Sequence, residues 1–403
     1  MTETTAGALR SMPVGPLAAT VAMQTLATMS LYSLPAVAPA VAADLRVNGT
    51  LVGGFVATAY GVGILSALLS PGLIRRYGGV RATQAVLLAA AGMLALAAAS
   101  RSVAGIALSA VVLGLGYGAA APASTHLLVP HTPRTVFNLV MSLRQIGVPL
   151  GGVLAALILP PLVLAFGWRA ALTVELGPIL LLILALEFPR GRWDAGREPR
   201  LPIRIGSVLQ PFLMLADRRL RRLSIACFIY SGVQLCFVAF MTVHLTTVVG
   251  FDLVRAGQIL ATYQIAGSVS RPIWGWIADR LLSPTHTLAI HGGGMAVAAT
   301  LASQFGPSWN GAAVFAVALL AGCTAGGYTG VAYAEYAHLG GARRTEAAGL
   351  GTALMFSGGM LMPPVFGAAV TGLGGYGASY LVVAALALGS GMLLGWQPRA
   401  LSP

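Results

Sequence analysis

The amino-acid sequence predicts an all-α integral membrane protein with twelve transmembrane helices in two six-helix, pseudo-symmetric halves. Composition predicts the class: the 403-residue chain is 57% hydrophobic and only 9% charged, too few polar residues to cover a soluble domain. Long apolar runs also recur along the whole chain. A motif at the end of the second run returns at the end of the eighth, which predicts the two halves.

Twelve apolar runs are long enough to cross about 30 Å of hydrocarbon at about 1.5 Å per helical residue. They lie near residues 15–43, 48–70, 83–100, 103–127, 136–160, 169–187, 222–247, 253–277, 286–304, 311–336, 346–370 and 378–396. The one long polar segment, rich in Arg and Pro, follows the sixth run. We therefore predict an N-terminal half (1–187), a cytoplasmic linker (188–221) and a C-terminal half (222–403).

The basic residues indicate the orientation in the membrane. All 24 are arginines, and with a cytoplasmic N-terminus 18 of them fall on the cytoplasmic side, four on the opposite side, and Arg144 and Arg271 within helices. This excess follows the positive-inside rule, and the opposite orientation would reverse it. We predict a multi-pass protein of the inner (cytoplasmic) membrane with both termini cytoplasmic. The charge does not indicate nucleic-acid binding, which needs a soluble basic face.

The internal repeat is clearest at the ends of the second and eighth runs. The segment "SPGLIRRYGGVR" (70–81) corresponds to "WGWIADRLLSP" (274–284) at an offset of 204. Similarly, "GLGYG" (114–118) corresponds to "AGGYT" (325–329) at an offset of 211. Two similar six-helix halves are typical of a rocking transporter. At these residues the sequence resembles the major facilitator superfamily, over essentially the whole chain.

That family has a loop signature, Gly-x-x-x-Asp-Arg-x-Gly-x-Arg/Lys, after helix two and a weaker copy after helix eight. The second copy here retains Gly275, Asp279 and Arg280, and the first retains Arg76, Gly78 and Arg81. The resemblance implies that these loops latch the two halves together in one state of the cycle. Arg75 stands where the first copy should have its acid, so we expect Asp279, with Arg280 and Glu335, to contribute more to the latch between the halves. Alternatively, these charges only mark the membrane edge.

Two arginines are predicted near the middle of the membrane. Arg271 precedes Asp279 by about 12 Å of helix, and Arg144 follows Arg134 by about 15 Å. A charge at the bilayer centre costs at least about 2.5–3.5 kcal/mol, so each needs a partner or a wet cavity. Among the acids only Glu175 lies clearly within a predicted span, on its outer side and well above both arginines. An anionic substrate would complete such a site.

Arg271-Pro272 followed by Gly275 resembles the helix-eight Arg-Pro-x-x-Gly of monocarboxylate transporters, whose arginine binds the carboxylate. Oxalate/formate antiporters also place a substrate-binding arginine in helix eight. The resemblance implies that Arg271 is the anion ligand, and a guanidinium suits this role because it binds carboxylates bidentately and keeps its charge. The animal transporters carry an acid one turn earlier, where this chain has Gly267, so a proton role there is not transferable.

The candidate substrate ligands are Arg271, Arg144, Gln145, Gln264, Gln234 and Tyr230. Gln264 lies seven residues before Arg271, on the same helical face. An anion held between Arg144 and Arg271 would neutralise both and ease rocking of the loaded carrier. The alternative for Arg144 is snorkelling or a bond to a backbone carbonyl, and for Tyr230 it is packing.

We therefore predict secondary active transport of a small organic anion, with a carboxylate favoured, by alternating access. Proton symport is the favoured coupling, but no carboxylate is well placed to carry the proton; entry of the proton on the substrate and anion exchange stay open. The competing function is a drug or metabolite exporter working by proton antiport, because "GVPLGG" (147–152) resembles the Gly-Pro-x-x-Gly-Gly of such exporters, with the Pro one position late.

Other classes find less support in the sequence. No motif of a hydrolase, metalloenzyme or nucleotide-binding site is present, which argues against an enzyme or a primary pump. The short tails and linker leave little room for a separate signalling domain. We predict no enzyme activity, no cofactor and no metal. The predicted partners are a small anion, a proton and the lipid bilayer, with no nucleic acid, and the predicted state is a monomer.

Overall fold

The computed structural model describes residues 12–46, 51–201, 210–251 and 253–395. Within these ranges the chain makes twelve helical passes and contains no β-strand. The passes are α1 (Val14–Ala36), α2 (Leu51–Tyr77), α3 (Gly79–Ala99), α4 (Val103–Tyr117 and Ala120–Leu128), α5 (Phe137–Arg144 and Gly147–Phe166), α6 (Trp168–Val174 and Leu176–Ala185), α7 (Arg218–His244), α8 (Leu253–Arg280), α9 (Pro284–Ser303), α10 (Gly311–Ala321 and Thr329–Gly340), α11 (Arg344–Gly372) and α12 (Tyr376–Gly395). Helices suit these apolar runs because hydrocarbon offers backbone groups no other partner. Both predicted cytoplasmic termini and residues 202–209 of the predicted linker lie outside the described residues.

Nine helical stretches of the described chain are long and apolar enough to span a membrane. One of them, Gly311–Gly372, contains both α10 and α11, which are joined by a short 3-10 turn. The helices α8 and α9 are not among the nine, because polar residues such as Gln264 and Arg271 on α8 and His291 on α9 lower their hydropathy.

The helix pairings nevertheless repeat at a spacing of six helices. The second helix packs against the fourth and the third against the sixth. Correspondingly, α8 packs against α10 and α9 against α12. Two halves of similar design, which the sequence repeat predicts, therefore use the same pairing pattern.

Contacts divide the chain into two units. Unit 1 comprises Met1–Arg134, Leu143–Met214 and Ala337–Ala353, and unit 2 comprises Thr135–Ser142, Leu215–Tyr336 and Leu354–Pro403. Each unit therefore contains most of one sequence half and a short segment of the other. The predicted boundaries of the two halves, at residues 187 and 222, are drawn from the sequence repeat and not from contacts, and they stay a prediction.

Four passes are interrupted at or beside residues that the sequence singled out. The fourth breaks after Tyr117, within "GLGYG" (114–118), and the fifth breaks directly after Arg144. The sixth breaks at Glu175, and α10 opens into a π-helical turn, Gly322–Gly326. A break leaves backbone groups that need partners from side chains or neighbouring helices. The breaks of α5, α6 and α10 each lie beside a polar side chain or a carbonyl that bonds to one.

Candidate functional site

Glycines bring α8 into backbone contact with the π-helical turn of α10. A Cβ atom added at Gly267 would lie 3.0 Å from Cα of Gly326, and one added at Gly326 would lie 2.8 Å from Cα of Gly267. A larger side chain at either position would therefore push the helices apart. At position 267 the backbone of α10 lies close to the place of a side chain, so an acid there would require the two helices to shift.

The carbonyl groups of the π-helical turn accept hydrogen bonds from polar side chains of α8. Arg271 Nε donates to the Gly326 carbonyl at 2.9 Å, and Trp274 Nε1 donates to the Cys323 carbonyl at 2.8 Å. A π-helical turn alters the backbone hydrogen bonding of a helix, so its carbonyls are available to neighbours. Arg271 is only 4% exposed. Its guanidinium is thus held through Nε in the interior of unit 2.

Arg144 lies in unit 1 and is fully buried. Its Nη2 donates to Oε1 of Gln145 at 2.6 Å, and Gln145 is itself buried. Both residues lie at the break in α5. Gly147, in the next turn, packs against α1, since a Cβ there would lie 2.8 Å from the Val21 carbonyl oxygen. The burial of Arg144 does not fit the snorkelling alternative, in which the side chain reaches the membrane surface.

The other three candidate ligands differ in their surroundings. Gln264 is exposed, so it does not share the burial of the α8 arginine, and Gln234 is half-buried. Tyr230 is fully buried. Its hydroxyl donates to the Leu288 carbonyl of α9 at 2.9 Å, and its ring packs edge-on against Tyr328 with centroids 5.5 Å apart. Tyr230 therefore makes the packing contacts that the sequence left as its alternative.

Asp279, near the end of α8, caps the first turn of α5. Its Oδ1 accepts from the backbone N–H and the side-chain amide of Asn138 at 3.0 and 2.7 Å, and its Oδ2 accepts from the Leu139 N–H at 2.9 Å. The first N–H groups of a helix lack intrahelical partners and attract a negative charge. Gly275 permits the approach, because a Cβ there would lie 2.7 Å from the Asn138 carbonyl oxygen. Two signature residues thus serve one helix-end contact.

The first copy of the signature makes the corresponding contact with reversed charges. Arg75 precedes Asp279 by 204 residues, and its Nη1 donates to Glu346 Oε1 at 3.1 Å in the first turn of α11. Its Nη2 also donates to both carboxylate oxygens of Glu198 at 2.9 Å. The acid missing from the first copy is therefore supplied by the partner helix.

The remaining arginines of the first copy contact the segment that follows α6. Arg76 Nη1 donates to the Leu201 carbonyl at 3.3 Å. Arg81 donates to Glu187 in a two-pronged ion pair at 2.9 and 3.1 Å. The predicted latch residues of this copy therefore hold the start of the linker within unit 1.

Gly78 has a structural requirement of its own. Its φ angle is +100°, a conformation that suits glycine, and the carboxylate of Asp194 occupies the position that a Cβ would take. Asp194 accepts a hydrogen bond from the Val80 N–H at 2.9 Å, at the start of α3. Burial raises the pKa of Asp194, and the N–H bonds from Val80 and Arg81 act in the opposite direction.

Two further predicted latch residues lie at the same end of unit 2. Arg280 is exposed. Glu335 is buried, and its Oε1 accepts a hydrogen bond from the Thr285 hydroxyl at 3.3 Å, so it faces the start of α9. Within the described part of the chain, no group of three or more His, Cys, Asp or Glu residues could hold a metal ion.

Sequence reasoning did not single out four residues that make these contacts. They are Asn138, Asp194, Glu198 and Glu346. The chain contains only 11 Asp and Glu residues. Matching each loop arginine to one of these few acids could have identified Asp194, Glu198 and Glu346. No comparable signal marks Asn138, whose partner lies 141 residues away.

Residues 20–363 match the family described as Major Facilitator Superfamily. A 105-residue segment is 33% identical to the probable nitrate/nitrite transporter NarK2 of Mycobacterium tuberculosis, covering 25% of this chain and 26% of that protein. A 280-residue segment is 28% identical to the 4-hydroxybenzoate transporter PcaK of Pseudomonas aeruginosa, covering 60% of this chain and 61% of that protein. The chain thus spans about a quarter and about three fifths of the length of these relatives.

Two solved structures share the fold at low sequence identity. The human organic anion transporter MFSD10 (TETRAN) has a TM-score of 0.73 at 17% identity and covers 95% of this chain and 99% of that one. The E. coli fucose:proton symporter FucP has a TM-score of 0.72 at 15% identity, with coverages of 94% and 98%. The matched family and these relatives are transporters and not enzymes, as predicted. Because the family match extends over most of its length, the chain belongs to the Major Facilitator Superfamily.

Proposed function

We propose that this protein is a secondary transporter that moves a small organic anion, a carboxylate, across the cytoplasmic membrane by alternating access, coupled to a proton. We place both termini in the cytoplasm, in keeping with the arginine distribution. The observation that carries the proposal is Arg271, a guanidinium buried inside α8 with 4% exposure.

The environment of Arg271 favours a ligand role. Keeping a guanidinium at membrane depth costs at least about 2.5–3.5 kcal/mol, which an anion can offset. The bond from Nε to Gly326 orients the guanidinium plane, and a planar, oriented guanidinium suits bidentate binding of a carboxylate. The glycine contact between α8 and α10 keeps the helices close enough for this bond to form.

Arg144 and Gln145 form the second candidate ligand pair, in unit 1. Their mutual hydrogen bond at 2.6 Å holds both side chains at the break in α5. Gln264 and Gln234 remain candidates for neutral donors, whereas the hydroxyl of Tyr230 already donates to Leu288. Each residue is best tested by separate substitution.

The names of the relatives support an anionic substrate. One relative is named for nitrate and nitrite and another for 4-hydroxybenzoate, and all three are anions near neutral pH. The last is a carboxylate, in agreement with the substrate class that the sequence favours. The exporter alternative rests on the glycines of "GVPLGG", but Gly147 and Gly151 pack closely against the backbone of α1.

The helix-end contacts supply the proposed latches of alternating access. Asp279 with Asn138, and Arg75 with Glu346, each join a helix of one sequence half to the start of a helix of the other. Exposed or half-buried charge pairs are worth about 1 kcal/mol or less each, and a carboxylate at a helix N-terminus somewhat more. Contacts of this size hold one state of a cycle and still break reversibly.

The test is a thermal-shift screen of the purified protein against 4-hydroxybenzoate, other carboxylates, nitrate and lipophilic cations. A ligand that binds only the folded state, at 100 times its dissociation constant, stabilises by about 2.7 kcal/mol. We expect a carboxylate to raise the melting temperature of the wild type, Arg271→Lys to weaken this response, and Arg271→Ala to abolish it. Arg255→Ala is the matched control, because Arg255 is an exposed arginine of the same helix.

Two results would count against the proposal. If a carboxylate stabilises Arg271→Ala as strongly as the wild type, Arg271 is not the anion ligand. If only lipophilic cations shift the melting temperature, the carboxylate substrate is wrong and the exporter alternative takes its place.

A further inference from the structure

Glu175 is a buried carboxyl group that the anion site does not use. It lies in unit 1 at the break in α6 and is 3% exposed. Its Oε1 lies 2.6 Å from the Ser33 hydroxyl oxygen of α1, and its Oε2 is buried with no hydrogen-bond partner among the residues that the structure describes. An ionised carboxylate in such a site would carry a large desolvation cost with one of its oxygens uncompensated.

The hydrogen bonds of Ser33 require one more proton than its hydroxyl carries. The Ser33 oxygen lies 2.7 Å from the Met29 carbonyl oxygen as well as 2.6 Å from Glu175. A serine hydroxyl has one proton, and a carbonyl oxygen can only accept. Ser33 therefore donates to only one of the two oxygens at a time. Both contacts are hydrogen bonds if Glu175 is protonated and donates to Ser33 while Ser33 donates to Met29.

The charges around Glu175 do not offer a cation to balance an ionised form. The sixth helix packs against α1, α3 and α5. The titratable or charged groups on these elements are Tyr32 on α1, Arg81 on α3, Arg144 at the end of the first part of α5, and Arg169 on α6 itself. Arg81 and Arg169 are ion-paired with other acids at 2.9 and 2.8 Å, and Arg144 donates to its neighbouring glutamine at 2.6 Å. No ion pair of Glu175 occurs among the described residues.

We propose that Glu175 is the proton-carrying residue of the transporter, with Ser33 positioning its carboxyl group. The proposal rests on the proposed function, to which it adds the residue that carries the coupled proton. In each cycle a hydronium ion on one side of the membrane protonates the Glu175 carboxylate and is left as water. On the other side the O–H bond of Glu175 breaks and its proton passes to a water molecule. One proton carried with one monocarboxylate moves no net charge. The acid that proton coupling requires is therefore in unit 1, on the helix where the sequence placed it, and not beside Arg271.

Protonation can be tested without any substrate. Infrared spectra of the purified protein at pH 7, compared between the wild type and each variant, should contain the C=O stretch of a buried carboxylic acid in the wild type. We expect this band to disappear in Glu175→Gln and to shift in Ser33→Ala, which removes the hydrogen bond. Asp44→Asn is the control, because Asp44 is an exposed acid paired with Arg169, and it should leave the band unchanged. A spectrum whose acid band is the same in Glu175→Gln as in the wild type would overturn the proposal.

Coupling is tested in proteoliposomes with radiolabelled 4-hydroxybenzoate, or with nitrate if the stability screen selects it. A pH gradient of about one unit should drive about tenfold accumulation by the wild type if one proton accompanies each anion. Glu175→Gln should lose this accumulation and retain exchange of internal for external anion. If Glu175→Gln still accumulates anion as the wild type does, the proton role is wrong. If the wild type performs no anion exchange, the proposed substrate class is wrong. The infrared spectra still test, independently of substrate, whether Glu175 is protonated.

Discussion

Replacing Asp279 by alanine should destabilise the protein more than removal of an ordinary helix cap. Asp279 accepts three hydrogen bonds at 2.7–3.0 Å, two of them from backbone N–H groups at the start of α5. Loss of a capping side chain costs about 0.5–2 kcal/mol, and hydrogen bonds to a charged group are worth about 1.5–3 kcal/mol each. Because the bonds are mutually dependent and Asp279 is half-buried, we expect about 2 kcal/mol in total.

The chain contains a matched control for this substitution. Asp217 caps α7 through one hydrogen bond, from the Leu220 N–H at 2.8 Å, and it is exposed. We expect Asp217→Ala to cost about 0.5–1 kcal/mol. For a folding unit of about 150–250 residues, 1 kcal/mol corresponds to about 2–4 °C in melting temperature. Asp279→Ala should therefore melt about 4–8 °C below the wild type, and Asp217→Ala no more than about 4 °C below it.

The measurement is the melting temperature of both variants in the same detergent, by intrinsic fluorescence. Asp279→Asn separates charge from shape, because it keeps one acceptor oxygen and should fall between the wild type and Asp279→Ala. If Asp279→Ala and Asp217→Ala lose the same stability, the three hydrogen bonds of Asp279 stabilise the protein no more than the single bond of the exposed cap Asp217. Asp279 would then not act as a latch.

Two further predictions concern unit 1. In a double-mutant cycle, Arg75→Ala and Glu346→Ala should show a coupling energy of about 0.5–1 kcal/mol in thermal stability, since the pair is partly exposed; additive effects would mean that the first copy of the signature has no charge-reversed contact. Burial raises the pKa of Asp194 in the folded state above its unfolded value. The contribution of Asp194 to the free energy of unfolding is therefore complete below the unfolded pKa and is lost as the pH rises through the folded pKa. The melting temperature of the wild type should therefore fall relative to that of Asp194→Asn as the pH rises from about 4 toward neutrality; parallel pH profiles would contradict this assignment.

Much of the fold followed from local properties of the sequence. The described helices of the chain agree with the twelve apolar runs because a membrane helix must satisfy its backbone groups within one segment, so that composition over about 20 residues decides it. The repeat motifs predicted two six-helix halves of similar design, and the structure pairs equivalent helices of the two halves alike. The burial of Arg144 and Arg271 followed from their distance, in helical residues, from the charged membrane edge.

The partners of the polar side chains depended on the tertiary structure. Glu175 meets Ser33 across 142 residues, and Arg75 meets Glu346 across 271. A helical period predicts which face of a helix a side chain occupies, but it does not predict which other helix covers that face. The sequence by itself therefore determined the membrane class, the helices and the two buried arginines. Only the packing of distant helices decided that α10 crowds position 267 and that Glu346 replaces the missing acid of the first loop. The same packing decided that Glu175 is buried beside a hydroxyl, with no ion pair among the described residues.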